Sequence, residues 1–409
     1  MTKTMKLRTF AALICAITFT LVNTGCTGNV DKNEGKAKYI FLFIGDGMGN
    51  SQVAVTESYM SWKEGKLGGA QLSFTQFPVF GTATSHSANS NITDSSAAGT
   101  AIACGEKTNN GYLGVDSEGN PVKSMSYDLK EEGYSIGIIS SVPINHATPG
   151  SFYGHNKDRG GYYAITQEIP ASGFEYFASA GILHYFGPDG NSESSADLLE
   201  QQGYDVCFGK ADFEQSRKNN DRIVLCQEYN KDVEPKNYDS TGNKPESEIT
   251  LAEMVQYGID FLGTDEPFFI MCEGGEIDWA CHSNKTLPMI NATIAFSDAV
   301  AVAYEFYKQH PDETLIVVTA DHATGGVALG ARGRYNSGFE ELDKSWQENN
   351  NSNNLDPIAN KELNDRALIG WTTSYHTGGA VPVFSIGKGA EKFMGRIDNA
   401  DIKGKILGK

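Results

Sequence analysis

Short apolar runs that stop at acids and histidines constrain this chain more than any other feature. Residues 39–45 (YIFLFIG) stop at Asp46, and 268–273 (FFIMCE) end in Glu273. Residues 314–319 (TLIVVT) lead to Asp321-His322, and 135–141 (SIGIISS) lead to His146 and Thr148; 382–386 (PVFSI) is a fifth run. Continuous apolar runs of this length read as strands buried on both faces. Helical periodicity appears at 95–103 and 257–262, and most clearly at 287–308, where Ile290, Ile294, Val300 and Tyr304 fall at helical spacings. Alternating strands and helices predict a three-layer α/β/α sandwich with a largely parallel central sheet. In such sheets ligands bind outside the carboxyl ends of the strands, which is where the acids and histidines stand.

The 409 residues are 40% hydrophobic and 21% charged, enough for a large core and too apolar for a disordered chain. We expect one large domain at 38–409, with insertions at about 164–244 and 330–364 where the sequence turns polar. The second contains a low-complexity run, Glu348-Asn349-Asn350-Asn351-Ser352-Asn353-Asn354. A net charge of −18 repels nucleic acid, and nothing resembles a basic patch with interleaved aromatics. An acidic surface suits a cleft loaded with divalent cations, which would be the largest local charges there.

Lys3, Lys6 and Arg8 precede an apolar run at 10–22, the pattern of an export signal. The run ends in Asn23-Thr24-Gly25-Cys26. A cysteine after a small residue there predicts a signal peptide over 1–26, lipidation at Cys26 and a polar tether at 27–37; simple secretory cleavage is the other reading. No later stretch reads as long and apolar enough to cross a bilayer. The chain would be exported, as a periplasmic or membrane-anchored lipoprotein. The other cysteines show no CxxC and no regular spacing; Cys207 and Cys226 share a polar region and are candidates to pair in an oxidising compartment.

The chemistry sits in five stretches. In Gly45-Asp46-Gly47-Met48-Gly49, glycines let the backbone turn tightly and approach an ion, although Asp and Gly also make ordinary turns. Asp321-His322 can reach one zinc from a strand end; an isolated pair of this kind is more often a surface feature. In Glu273-Gly274-Gly275-Glu276-Ile277-Asp278-Trp279-Ala280-Cys281-His282, a helical turn would put Asp278 and His282 on one face. Three acids in an apolar neighbourhood are costly without cations. Thr93-Asp94-Ser95-Ser96-Ala97-Ala98-Gly99-Thr100-Ala101 places a serine at the start of a small-residue helix, whose N-terminus favours an alkoxide and an anionic substrate; a serine N-cap is the plainer explanation. It is not the G-x-S-x-G elbow, so a Ser-His-Asp triad is disfavoured. Last come His146-Ala147-Thr148-Pro149, Arg159 and His376-Thr377-Gly378-Gly379, of which a lone His or Arg is more often structural than catalytic.

In this order, GDGMG, TDS with its small-residue helix, HATP with a later Arg, EGGEID-x3-H, TADH and HTGG jointly resemble the alkaline phosphatase family, from about residue 39 to the C-terminus. The resemblance implies an alkaline-phosphatase-like sandwich and broad hydrolysis of small phosphate monoesters at alkaline pH through a phosphoserine on Ser95, with Ser96 the fallback. It implies two zinc ions and one magnesium. Asp278, His282 and His376 would hold one zinc; Asp46, Asp321 and His322 the other. Asp46, Thr148 and Glu273 would hold magnesium, and Arg159 would grip two phosphate oxygens. His146 stands where some members have Asp, so it would act on the magnesium shell through water. Trp279 stands where others carry Lys or His near the phosphate. The resemblance also suggests a homodimer, which no residue marks. The competing readings are a diesterase or sulfatase of the same superfamily, and a catalytically inactive lipoprotein that binds metal or glycan.

Overall fold

A computed structural model of the chain describes residues 35–228, 248–331, 336–349 and 355–409. The expected signal peptide, the Cys26 site and nearly all of the tether lie outside the described residues. Lys36–Lys409 forms one unit. It is built on a ten-stranded sheet: β1 Tyr39–Gly45, β2 Val79–Thr84, β3 Ser135–Ser140, β4 Tyr176–Ser179, β5 Asp205–Phe208, β6 Ile223–Cys226, β7 Phe268–Gly274, β8 Thr314–Thr319, β9 Val381–Gly387 and β10 Gly395–Asp398. The order across the sheet is β10-β2-β9-β8-β1-β7-β3-β4-β6-β5, and β9 alone runs antiparallel to its neighbours.

All seven residues of β1 are buried, as are those of β7 and β8. Helices therefore cover both faces, as the unbroken apolar runs require. Two of them, α4 Leu251–Leu262 and α6 Thr286–Gln309, pack against each other and against the sheet. Phe41, Phe268 and Phe306 meet at ring centroids 5.3–5.6 Å apart, and Phe43 meets Phe296 at 6.0 Å. Each such ring is worth roughly 1.5–3 kcal/mol when fully buried. By length and composition α6 could cross a membrane, contrary to the sequence expectation. It is 61% buried over its most apolar window, because its apolar face is core.

Two further expectations are corrected. The polar stretch at 164–244 is not simply a surface insertion, since it supplies β4, β5 and β6 and extends the sheet to its edge. Its strands are four residues each, too short to stand out from the polar loops between them. Cys207 and Cys226 are both free and buried. Cys207 pairs across the strands with Leu225 and Cys226 with Phe208, so the two thiols fall on opposite faces of the sheet and cannot meet.

Register positions the site. Ile44 of β1 lies level with Glu273 of β7 and Thr319 of β8, and Ser140 of β3 lies level with Glu273. Four neighbouring strands thus end flush, and their exits share one edge.

Candidate active site

Asp46 leaves β1, Glu273 closes β7, and Asp321 and His322 follow β8. Asp278 and His282 stand on the short helix α5 Glu276–His282, after β7. Thr148 lies in the turn α3 Ala147–Gly150, after β3, and His376 arrives from a two-stranded ribbon with 323–324. Asp46, Thr148, Glu273, Asp278, Asp321 and His322 are all buried. The glycines around Asp46 are needed. Gly47 has φ +71°, and a Cβ there would come within 2.9 Å of Asp278 Oδ1 and Thr324 Oγ1.

Every predicted ligand joins one of three adjoining groups. His282 Nε2 stands 3.1 Å from Asp278 Oδ2 and 3.2 Å from His376 Nε2, which is 3.8 Å from Asp278 Oδ1. His322 Nε2 stands 3.1 Å from Asp321 Oδ2 and 3.5 Å from Asp46 Oδ1. Asp46, Glu273 and His146 offer ligand atoms within 4.8 Å of one another, and the Thr148 hydroxyl stands beside Glu273.

The histidine tautomers are set from behind. His282 Nδ1–H donates to the Ser374 carbonyl at 2.7 Å, and His376 Nδ1–H to the Thr93 carbonyl at 2.8 Å. Carbonyls only accept, so in the neutral imidazoles both Nε2 atoms carry lone pairs, and these face each other at 3.2 Å. Two lone pairs at that distance call for a cation or a proton between them, and Asp278 beside His282 favours either. His322 Nδ1–H donates to Thr324 Oγ1 at 3.2 Å, and that hydroxyl donates to Asp278 Oδ1 at 2.5 Å.

The carboxylates carry the same message. Both Asp46 oxygens, Asp321 Oδ2, Glu273 Oε1, Thr148 Oγ1 and His146 Nδ1 are buried with no hydrogen-bond partner among the described residues. Buried polar atoms are rarely left so. Burial, with Asp321 and Asp278 alongside, holds the Asp46 carboxyl well above the usual carboxylate range. Burial and Asp278 push Asp321 up to about 8, and burial pushes Glu273 up to about 7 against the pull of the Ser140 hydroxyl. Burial opposes ionisation of Asp278 too, but His282, His322 and His376 outweigh it and hold that group low. Burial and His376 hold His322 well below the usual imidazole range. Oxygen donors of Asp46, Glu273 and Thr148 with the His146 nitrogen beside them, and mixed nitrogen and oxygen donors in the other groups, fit divalent cations.

Ser95 is the first residue of α2 Ser95–Cys104, capped by Asp94, which accepts from Ala97 N at 3.0 Å. Its Oγ lies 3.3 Å from His322 Nε2. Ser96 turns away and donates to Asp94 Oδ2 at 2.9 Å. That same Asp94 oxygen takes Arg159 Nη1–H at 3.1 Å and Gly111 N–H at 2.9 Å, so the cap residue also fixes the guanidinium beside the site. The Trp279 ring meets His146 edge-on at 5.7 Å, and His146 stacks on Tyr162 at 6.3 Å. Thr324 and Asp94 were missed as site residues. Only the place of Asp94 in the TDS motif, and of Thr324 two residues past the end of TADH, could have drawn attention to them.

A largely parallel sheet whose strand ends gather three candidate ligand groups beside a serine that opens a helix defines an α/β protein with a candidate multi-metal site. The chain belongs to the alkaline phosphatase family: the family model for alkaline phosphatase matches residues 37–185 and 196–407. It is 30% identical to alkaline phosphatase 4 of Bacillus subtilis over 90% of this chain and 88% of that one. It is likewise 30% identical to alkaline phosphatase 3 of the same organism, over 92% and 89%. Among solved structures, the alkaline phosphatase of the Antarctic bacterium TAB5 matches with TM-score 0.71 and 28% identity, over 91% of this chain and 98% of that one. A variant of that enzyme with Mg bound in its M3 site matches with TM-score 0.73 and 29% identity, over 91% and 97%.

Proposed function

We propose that this chain hydrolyses small phosphate monoesters through a phosphoserine on Ser95, with two zinc ions and one magnesium as resident cations. The observation that carries this reading is the convergence of the ligand groups on a serine whose Oγ lies 3.3 Å from a ligand histidine nitrogen. Asp278, His282 and His376 would hold one zinc, and Asp46, Asp321 and His322 the other. Asp46, Thr148 and Glu273 would hold the magnesium, with His146 alongside. Bound there, such cations favour the ionised forms of hydroxyl and water and neutralise charge on the attacking and leaving oxygens.

The rest falls to the chain's own groups. Ser95 Oγ forms a bond to phosphorus as the bond from phosphorus to the alcohol oxygen breaks. Water then cleaves the seryl ester, releasing phosphate and restoring Ser95. Arg159 gives one N–H to Asp94 and keeps the others for phosphoryl oxygens, which guanidinium geometry matches in pairs. Asp94 thereby aims both the helix that carries Ser95 and the group that grips its substrate. Export as a periplasmic or lipid-anchored protein and assembly as a homodimer belong to the same proposal; the first rests on residues 1–26 and the second on the resemblance alone.

Replacing Ser95 by alanine tests the nucleophile. In acid-quenched reactions with labelled substrate, the Ser95→Ala protein should form no phosphoenzyme and turn over at least about a thousandfold more slowly, the scale expected when a covalent nucleophile is lost. Near-normal turnover would remove Ser95 from the mechanism.

A further inference from the structure

Asp94 caps the Ser95 helix with its side chain, but its own backbone N–H lies outside the helical ladder and needs an acceptor. A glutamate or glutamine at the third helical position often reaches back to supply one; that position here is Ala97, which cannot. The acceptor comes from another segment. Asn110 Oδ1 takes the Asp94 N–H at 3.1 Å, while its Nδ2 donates to the Ile92 carbonyl at 2.9 Å. The amide orientation is dictated, since a backbone N–H only donates and a carbonyl only accepts. One side chain thus pins the backbone on both sides of Thr93, whose carbonyl takes the Nδ1 proton of His376.

The next residue reaches Arg159. Gly111 N–H donates to Asp94 Oδ2 at 2.9 Å, the same oxygen that takes Arg159 Nη1–H, and the Gly111 carbonyl accepts the Arg159 backbone N–H at 2.9 Å. Asn110 and Gly111 therefore touch Asp94 at its backbone and its carboxylate, and Arg159 at its backbone. Their segment is tied down along its length. Leu113 exchanges both backbone bonds with Asn156, at 2.8 and 2.7 Å, and Gly114 N–H donates to Thr100 Oγ1, inside α2, at 2.8 Å. The Asn110 N–H is itself held by Asn89 Oδ1 at 3.0 Å. The dipeptide is a fixed spacer between the helix that carries Ser95 and the loop that carries Arg159.

We propose that Asn110 is a positioning residue for phosphate binding: it sets the Asp94 backbone, and through Asp94 the bearing of Arg159 on Ser95. Its amide is spent on backbone at both ends, so it acts through these neighbours and not on the phosphoryl group. This role rests on the phosphomonoesterase reading.

The test is calorimetric titration of inorganic phosphate into zinc- and magnesium-loaded protein in a Ser95→Ala background, where no seryl ester can form. Asn110→Ala should raise Kd about tenfold, a part of the roughly hundredfold that misplacing a group by about 1 Å costs. Combined with Arg159→Ala, the same change should raise Kd less than about twofold, because residues that act through one another are not additive. Asn110→Leu keeps the bulk and removes both bonds, and it decides the matter by the same cycle if Asn110→Ala does not fold. A loss that persists without Arg159 would overturn the assignment. So would a Kd within about twofold of the parent with Arg159 in place, even if the melting temperature falls, since Asn110 would then serve the fold alone. Failure of the Ser95→Ala parent to bind phosphate would instead strike the phosphomonoesterase reading, so the two failures are distinguishable.

Discussion

The Thr324 hydroxyl accepts the Nδ1 proton of His322 and donates to Asp278, so one side chain aims a ligand in each of two groups. Without it, His322 could adopt the other tautomer and turn an N–H toward Ser95. Thr324→Val keeps the volume and removes both bonds. Loss of an outer partner of this kind costs about 10–100-fold in metal affinity. Zinc affinity measured by competition with a chromogenic chelator should fall by that factor, and a value within twofold of the parent would mean that Thr324 only packs. The same residue marks the limit of reading a site from sequence. Asp46, Glu273, Asp278, Asp321 and the histidines were legible because their motifs, weak one by one, stand in an ordered set that resembles one family, with the acids of 273–278 also costly to bury without cations. Thr324 and Asp94 were not, because threonine and aspartate serve in so many plain turns and caps that their types carry no signal.

At the scale of elements, Ser95, the proposed nucleophile, depends on a helix made of small residues. Ala97, Ala98, Gly99 and Ala101 of α2 are buried, and the helix packs on the turn that carries Thr148. A Cβ at Gly99 would lie 2.8 Å from Ser151 Oγ and 3.4 Å from Thr148 Cα. Gly99→Val should overpack this contact by about 1–3 kcal/mol, offset by only about 0.3 kcal/mol of helix propensity, since valine is itself a poorer helix former than alanine. We expect the thermal midpoint to drop by a few degrees and kcat to fall at least tenfold, because Ser95 and Thr148 are pushed apart together. An unchanged midpoint with full activity would show that the two elements need not approach so closely. Elements differed in how well the sequence announced them. Strands β1, β3, β7, β8 and β9 matched their apolar runs to within a residue or so, since burial on both faces leaves an unbroken pattern. Strands β4, β5, β6 and β10 have four residues each, and β2 alternates buried with partly exposed positions around Gly81. Toward the rims of the sheet the chain needs fewer apolar residues, and the signal fades with them.

Across the whole molecule, the flush strand ends concentrate Asp46, Glu273, Asp278 and Asp321 at one edge of the sheet, and the fold tolerates this only if their charge is neutralised. Cations can do so, and in a chelated protein protons must. For Asp46, Asp321 and Glu273 the folded pKa is raised above the unfolded value, so the folded chain binds more protons and its stability falls as pH rises toward the folded pKa. The depressed pKa of His322 and of His376 acts the other way, adding stability as pH rises, but only up to the ordinary imidazole value of about 6.5. His282 is raised by Asp278 and sides with the carboxylates. Above pH 6.5, therefore, the remaining groups of the site pull in one direction. Chelated protein should lose thermal stability steadily from pH 6.5 to 8, with Glu273 giving up its proton near 7 and Asp321 near 8. Metal-loaded protein should show no such decline, since its cations have already displaced those protons, and the gap between the two melting curves should widen with pH. Parallel curves across that window would mean that these carboxylates are not held protonated in the absence of metal, and that something other than cations or protons balances the edge.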